Sequence, residues 1–545
     1  MRPSSARRRK LVGWGFEGES FPPSPQLLAL LERRVGRGAP FPTVDPASLQ
    51  PPAPRRLPDL PVAASSEPSD RLAHARGQGL PDILRLRAGS LPAWPDAVCR
   101  PADAGEVDAL LAACSREQLR VIPWGGGTSV TGGVNPSPDD GPVVTLDLAE
   151  MAALEGVDPV SRLVTFGAGA TGPRVEAALA EHGLTLGHFP QSWELSTVGG
   201  WVVTRSSGQE SLGYGRIDDL VAGLEAVAPA GRLALPAQPG SSAGPDLRRL
   251  LLGSEGRLGV VTSITLRVRP RPAVTIVEAA LMHSWADGLE AARDLVQGGS
   301  RLTMIRLSDA VETEVAMAIG LASTGAAPLA RAYLRLRGLG PESCLLLYGA
   351  AGDPVDADAE LAGARWVIGR HHGVLLGRRP GRHWLSDRFR HPYLRDALLD
   401  AGYLTDTLET AATWLGLDAL RDGVTAAITG AAESANERAA VLCHVSHPYP
   451  DGASLYFTFF MTATGDLERD VARWAEVKRA ATAAIVAGGG TISHHHGVGR
   501  WHAPWLPDEL GEDAVGVLGA AARHLDPRGI LNPGVLLDPT DRLEE

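Results

Sequence analysis

Residues Pro123 to Gly133 read PWGGGTSVTGG, with five glycines packed behind a predicted strand over Leu119–Ile122. Glycines at this density let successive backbone N–H groups converge on an anion, forming a concave nest that suits a phosphate. No Lys follows the glycines, and no βαβ unit with an acidic residue about 20 positions on surrounds them, so neither a P-loop nor a nicotinamide Rossmann fingerprint is present. Taken alone, a triple glycine is an ordinary turn. Three further segments follow in order: PQSWELSTVGGWVVTRSSG at Pro190–Gly208, IDDLV at Ile217–Val221 and GSEGRLGVVTSITLRVRP at Gly253–Pro270.

Outward from this region the pattern is one of short apolar strands, glycine turns and helices. SRLVTFGAGATGPRVEAALAEHG, from Ser161 to Gly183, reads as strand, turn and helix, with Thr171 placed to cap the helix before Pro173. Residues 1–91 are rich in Pro and Arg and read as an arm wrapped on a larger body, with one helix over Pro25–Val35. Residues 92–272 hold the glycine segments. Residues 273–485 alternate strands with Ala/Leu-rich helices and suit a second, α/β cap domain, and 486–545 return to Gly and His motifs. The fold class expected is α+β.

Bulk properties narrow the function. The chain has 545 residues and a net charge of −11, which argues against a nucleic-acid binder that neutralises phosphates over a broad basic face. No apolar run approaches the roughly 20 residues of a membrane-spanning helix. The four cysteines form no CxxC pair and no apolar signal segment opens the chain, so a reducing cytoplasm is expected. The basic start, MRPSSARRRK, reads as a disordered or surface arm, with attraction to an anionic membrane as the alternative.

The four ordered segments resemble the PCMH-type FAD-binding domain of vanillyl-alcohol oxidase, D-lactate dehydrogenase and their relatives, in which two small subdomains clasp the dinucleotide. The resemblance implies FAD as cofactor. It puts Pro123, Trp124, Gly125, Gly126, Gly127, Thr128 and Ser129 on the diphosphate. Pro190, Gln191, Ser192, Trp193, Glu194, Leu195 and Ser196, with Thr204, Arg205, Ser206 and Ser207, fall around the flavin and its ribityl chain. Glu255, Gly256, Arg257, Leu258, Gly259, Val260 and Val261 fall near the adenine half. The glycine loop carries neither His nor Cys, and His188 is the one nearby tether candidate, so non-covalent FAD is expected.

Motifs outside this domain resemble the alkyldihydroxyacetonephosphate synthase family: GWGF at Gly13–Phe16, IRLSD at Ile305–Asp309, YLRD at Tyr393–Asp396, LYF at Leu455–Phe457 and SHHHGVGR at Ser493–Arg500. The C-terminal segment would then return to the flavin site. The family resemblance assigns proton transfer to Tyr456, oxygen positioning and protonation to His494, His495 and His496, and substrate binding to Arg395 and Arg306. It implies exchange of an acyl group for a fatty alcohol without net redox change, on lipid-like substrates; peripheral membrane contact and a homodimer stay open.

Imidazoles titrating near ~6.5 suit acid–base work, and in an extended backbone His494 and His496 would share one face and His495 the other. A phenol near ~10 accepts a proton only if positive charge or His pulls its pKa down. His444 and His447 read as strand-edge or core residues, and no metal is expected. TDTLETA at Thr405–Ala411 and Thr458 depart from the family pattern, which keeps an FAD-dependent dehydrogenase or oxidase as the alternative activity.

Overall fold

The computed structural model describes residues 7–321 and 336–537. A four-stranded, a five-stranded and a seven-stranded sheet organise the described residues, with a two-stranded ribbon of Arg269–Pro270 and Leu184–Thr185 beside them. In the first, Ala64–Ser65, Ala97–Cys99, Val143–Asp147 and Arg120–Trp124 lie in that order, with the last three parallel. Because parallel strands need both faces covered, these read as unbroken apolar runs, and Val121, Ile122, Val144 and Leu146 are fully buried. The glycine loop leaves the C-terminal end of Arg120–Trp124, the edge at which open parallel sheets receive ligands.

The second sheet is antiparallel, ordered Leu154–Asp158, Leu163–Gly167, Val260–Arg267, Val221–Ala228 and Gly231–Leu235. Both sheets share one apolar core. The helix Gly172–Glu181 packs against it through Val175 and Leu179. Thr171 does occupy its N-cap position, yet its side chain makes no capping hydrogen bond, which corrects the sequence expectation.

A seven-stranded antiparallel sheet carries the second core. Its order is Val374–Gly377, Val274–Met282, Cys344–Gly352, Met304–Ser308, Ala440–Pro448, Gly452–Thr462, Tyr403–Thr413. Alternation decides what each face does. Leu455, Phe457 and Phe459 point into the core while Tyr456 and Thr458 point to the other face. No described helix is long and apolar enough to cross a membrane.

The first 90 residues are not a wrapped arm throughout. The helix Pro25–Val35 forms as expected, but Leu80, Ile83 and Leu84 of the helix Leu80–Ala88 are fully buried in the core of the large sheet. The Pro and Arg richness concealed this, because Arg71, Arg85 and Arg87 are themselves buried and engaged. Residues 1–6 of the basic start lie outside the described residues. Residues 8–17 form a hairpin rather than a loose surface arm, with Arg9 bridged to Phe16.

Candidate active site

The glycine loop is pressed against the second expected flavin segment. A side-chain carbon at Gly125 would stand 2.3 Å from Thr197 Oγ1, one at Gly126 2.0 Å from the Leu195 carbonyl, and one at Gly127 2.2 Å from the Trp124 ring. Glycine is required here by close approach, and at Gly127 also by φ +61°. Gly125, Gly126, Thr128 and Ser129 stay half-buried, as do Gln191, Ser192, Trp193 and Glu194 across from them, while Pro190, Leu195 and Ser196 are buried. The Ser129 hydroxyl accepts the Gly133 N–H at 3.0 Å. Two buried donors near these segments, Trp193 Nε1 and His188 Nδ1, have no protein partner. A loop of closely packed glycines without a cation, with two neutral buried donors left without protein partners in the neighbouring segments, fits a dinucleotide whose phosphates are bound without Lys.

Other expected cofactor residues are spent on the protein itself. Thr204 donates its hydroxyl to the Gly200 carbonyl, and Arg205 is exposed and paired with Asp218 at 2.7 Å. Ser206 and His188 Nε2 share a 2.7 Å hydrogen bond, and burial drives His188 down to about 3. Ser207 reaches Ser211. Glu255 joins the glycine region to the C-terminal segment: its carboxylate accepts N–H groups from Val498 at 2.7 Å and Gly499 at 2.9 Å, and burial raises it to about 7. Gly256, at φ +75°, abuts Pro123, and Arg257 donates to the Leu531 carbonyl. Leu258, Val260 and Val261 are core side chains, while Gly259 has φ +142°.

On the face of the large sheet opposite its hydrophobic core the aromatic and imidazole rings gather. Tyr456 stacks on His444 with ring centres 4.9 Å apart, faces His495 at 6.3 Å and meets His496 edge-on at 5.8 Å. His447 stacks on His494 at 5.2 Å. The triplet backbone bends instead of running extended, so all three rings approach one cluster and His494 Nδ1 lies 2.9 Å from His495 Nδ1. The two-faced expectation for the triplet is thereby corrected.

Glu409 holds the bent triplet. Its Oε1 accepts the backbone N–H groups of both His495 and His496 at 2.6 Å, and its carboxylate pairs with His495 Nδ1. These contacts and the adjacent imidazoles hold its pKa well below the usual carboxylate value despite complete burial. Glu409 was not singled out from the sequence. Its only signal was a place in TDTLETA directly opposite Tyr456 in the sheet register.

His444 and His447 are buried but not inert core residues. His444 Nδ1 lies 2.9 Å from Glu312 Oε2 and 3.1 Å from Arg306 Nη2, and Arg306 also donates to Glu312 at 2.6 Å. Arg306 is thus tied to Tyr456 through His444. Arg395 stands elsewhere, donating to the Gln78 carbonyl at 2.5 Å, while the Gln78 N–H is donated to Ser129.

Burial lowers His444, His447 and His494, and brings His496 to about 4, so these imidazoles are neutral at pH 7. Burial pushes the Tyr456 phenol up, contrary to the lowering that a resting phenolate would need. Two sets, His447 with His494 and His495, and Glu409 with His495 and His496, bring ligand-type atoms within 4.8 Å. Many of those atoms already have partners: His447 Nδ1 meets Ser211, and His494 Nε2 meets the Tyr449 hydroxyl at 2.7 Å.

A two-part fold with a glycine cradle on one side and a ring cluster on the other defines an FAD-linked oxidase-type flavoprotein. Residues 95–234 match the FAD binding domain model and 271–536 the model of the C-terminal domain of FAD linked oxidases. The alkyldihydroxyacetonephosphate synthase of Dictyostelium discoideum is 30% identical over 491 residues, 89% of this chain and 80% of that protein. That of Trypanosoma brucei brucei is 30% identical over 86% of this chain and 77% of its own length. A solved alkyldihydroxyacetonephosphate synthase superposes with a TM-score of 0.82 at 26% identity, over 96% of this chain and 98% of its own. The chain belongs to the alkyldihydroxyacetonephosphate synthase family.

Proposed function

We propose that the protein exchanges the acyl group of an acyl-dihydroxyacetone phosphate for a long-chain alcohol, using FAD held without a covalent link. One ester C–O bond breaks, one ether C–O bond forms, and the proton of the alcohol leaves with the fatty acid. The observation that supports this most is the Tyr456 phenol set among His444, His495 and His496, with Glu409 fixing the triplet beneath it. Bound FAD would supply an electron sink that ends each turnover as it began, so no outside oxidant is consumed.

On this reading Tyr456 passes the substrate proton. Because burial keeps its phenol protonated at rest, it hands its own O–H proton to a neutral imidazole as it takes up the substrate's, instead of waiting as phenolate. His494, His495 and His496 position and protonate the oxygens of the exchanging groups. Arg395 holds the phosphate: it has no carboxylate within ion-pair distance among the described residues, and its buried Nε has no partner. Arg306 supports the site through Glu312 and His444. Peripheral contact with a lipid surface belongs to the same reading, since both substrates carry long apolar chains.

The test is incubation of purified protein with acyl-dihydroxyacetone phosphate and a labelled long-chain alcohol, with no added oxidant. Labelled ether and free fatty acid are expected, and Tyr456→Phe should lower the rate by about 10²- to 10⁴-fold without a change in melting temperature. Rapid flavin reduction by an alcohol or hydroxy acid, with no ether formed, would overturn the proposal. Flavin released into the supernatant on acid precipitation checks the non-covalent link.

A further inference from the structure

The hairpin over residues 8–17 is closed by Lys10 N–H to Gly15 carbonyl and Glu17 N–H to Arg8 carbonyl hydrogen bonds of 3.0 and 2.9 Å. It touches three parts of the molecule at once. Trp14 donates its backbone N–H to Asp396 at 2.9 Å, and its buried ring packs with Leu195 and Tyr393. Beyond the turn, the Tyr393 hydroxyl stands 3.1 Å from Glu19 and 3.2 Å from Glu194, sharing its single proton between the two carboxylates. Gly13 and Gly15, at φ +95° and +90°, lie so near Asp396 and Tyr393 that a side chain would collide with them. The hairpin therefore straps the cap helix His391–Asp400 to the second flavin segment.

Its first strand delivers Arg9 to the glycine loop, where Nη1 donates to the Gly126 carbonyl at 2.6 Å. Arg9 has no carboxylate within ion-pair distance among the described residues. The acid it feels is Asp147, which is already bound to Arg100 at 3.0 Å. A half-buried guanidinium with no counter-ion is costly unless an anion completes it. The loop it touches is the one whose N–H groups suit phosphate, and that loop contains no cation of its own.

We infer that the 8–17 hairpin is a cofactor clasp and that Arg9 supplies positive charge to the phosphoryl oxygens held by the glycine loop. FAD is the phosphate source to which this commits, and a substrate phosphate is the competing source. The inference rests on the FAD-binding fold and stands whether or not ether synthesis is the reaction.

The test compares wild type with Arg9→Gln, which removes the charge but keeps an N–H donor, and with Arg9→Lys, which keeps the charge. FAD dissociation constants are read from flavin fluorescence on reconstituting the full-length apoprotein, with riboflavin as a phosphate-free probe. Arg9→Gln is expected to weaken FAD by ~10- to 100-fold, the effect of losing one charge-assisted hydrogen bond, and to leave riboflavin unchanged. Arg9→Lys should recover part of the loss. Equal retention of FAD by wild type and Arg9→Gln overturns the inference, as does equal weakening of FAD and riboflavin, which would mark a purely structural role. A raised dissociation constant for glycerol 3-phosphate alone, with FAD unaffected, would assign Arg9 to substrate and also overturn it.

Discussion

At the scale of single residues, Glu409 shows how one carboxylate gathers three adjacent histidines into a single cluster. Three imidazoles in sequence would alternate faces; two backbone N–H bonds to one buried oxygen fold them into a cluster instead. Glu409→Gln keeps the acceptor but removes the charge. Its kcat should fall by about 10²-fold, within the range attributed to positioned acid–base groups, with little change in KM. The sign of the pH effect also follows. Glu409 raises His496 against the larger lowering by burial, so without the charge His496 titrates lower still, and the acid limb of the rate profile should move to lower pH. A variant with an unshifted profile and full activity would remove Glu409 from this role. The histidines, Tyr456 and the glycines could be singled out as candidates in the sequence because their residue types are distinctive. Glu409 and Glu312 were not, because a Glu in a strand or at the start of a helix has no distinctive spacing.

At the scale of elements, the helix Leu80–Ala88 is the clearest departure from what composition suggests. A segment with Pro81, Arg85 and Arg87 looks solvent-facing, yet both arginines are buried and engage partners such as Glu468 and the Asp396 carbonyl. Those partners lie more than 300 positions away, so no local pattern could reveal them. Leu84→Ala should cost ~2–5 kcal/mol in urea unfolding, the range for deleting a fully buried leucine. A loss below about 0.5 kcal/mol, typical of surface positions, would return this segment to a wrapped arm. The strand Gly452–Thr462 was readable by contrast, because its period-two pattern separates core-facing Phe457 and Phe459 from Tyr456 within five residues.

At the scale of the whole molecule, the C-terminal segment holds the parts together. Arg500 pairs with Asp140 at 3.0 Å with both side chains buried, and donates to the Asn135 carbonyl just beyond the glycine loop. Trp501 stacks edge-on against Trp474 of the cap, 4.9 Å between ring centres, and Glu255 ties the same turn to the flavin side. Asp140→Ala should therefore destabilise the whole fold by ~3–5 kcal/mol, the penalty for breaking a buried ion pair, measured as a lowered melting temperature of the intact chain. The sequence by itself determined the α+β class, an FAD-binding domain and the family, because glycine density, strand alternation and motif order are local properties written in consecutive residues. The tertiary structure alone decided that Glu409 shapes the His triplet, that Glu312 and Arg306 reach Tyr456 through His444, and that Arg9 meets the glycine loop. Each of these depends on contacts between residues far apart in the chain, and the energy that selects them, burial of polar and charged groups against distant hydrogen-bond partners, exists only once the chain has closed.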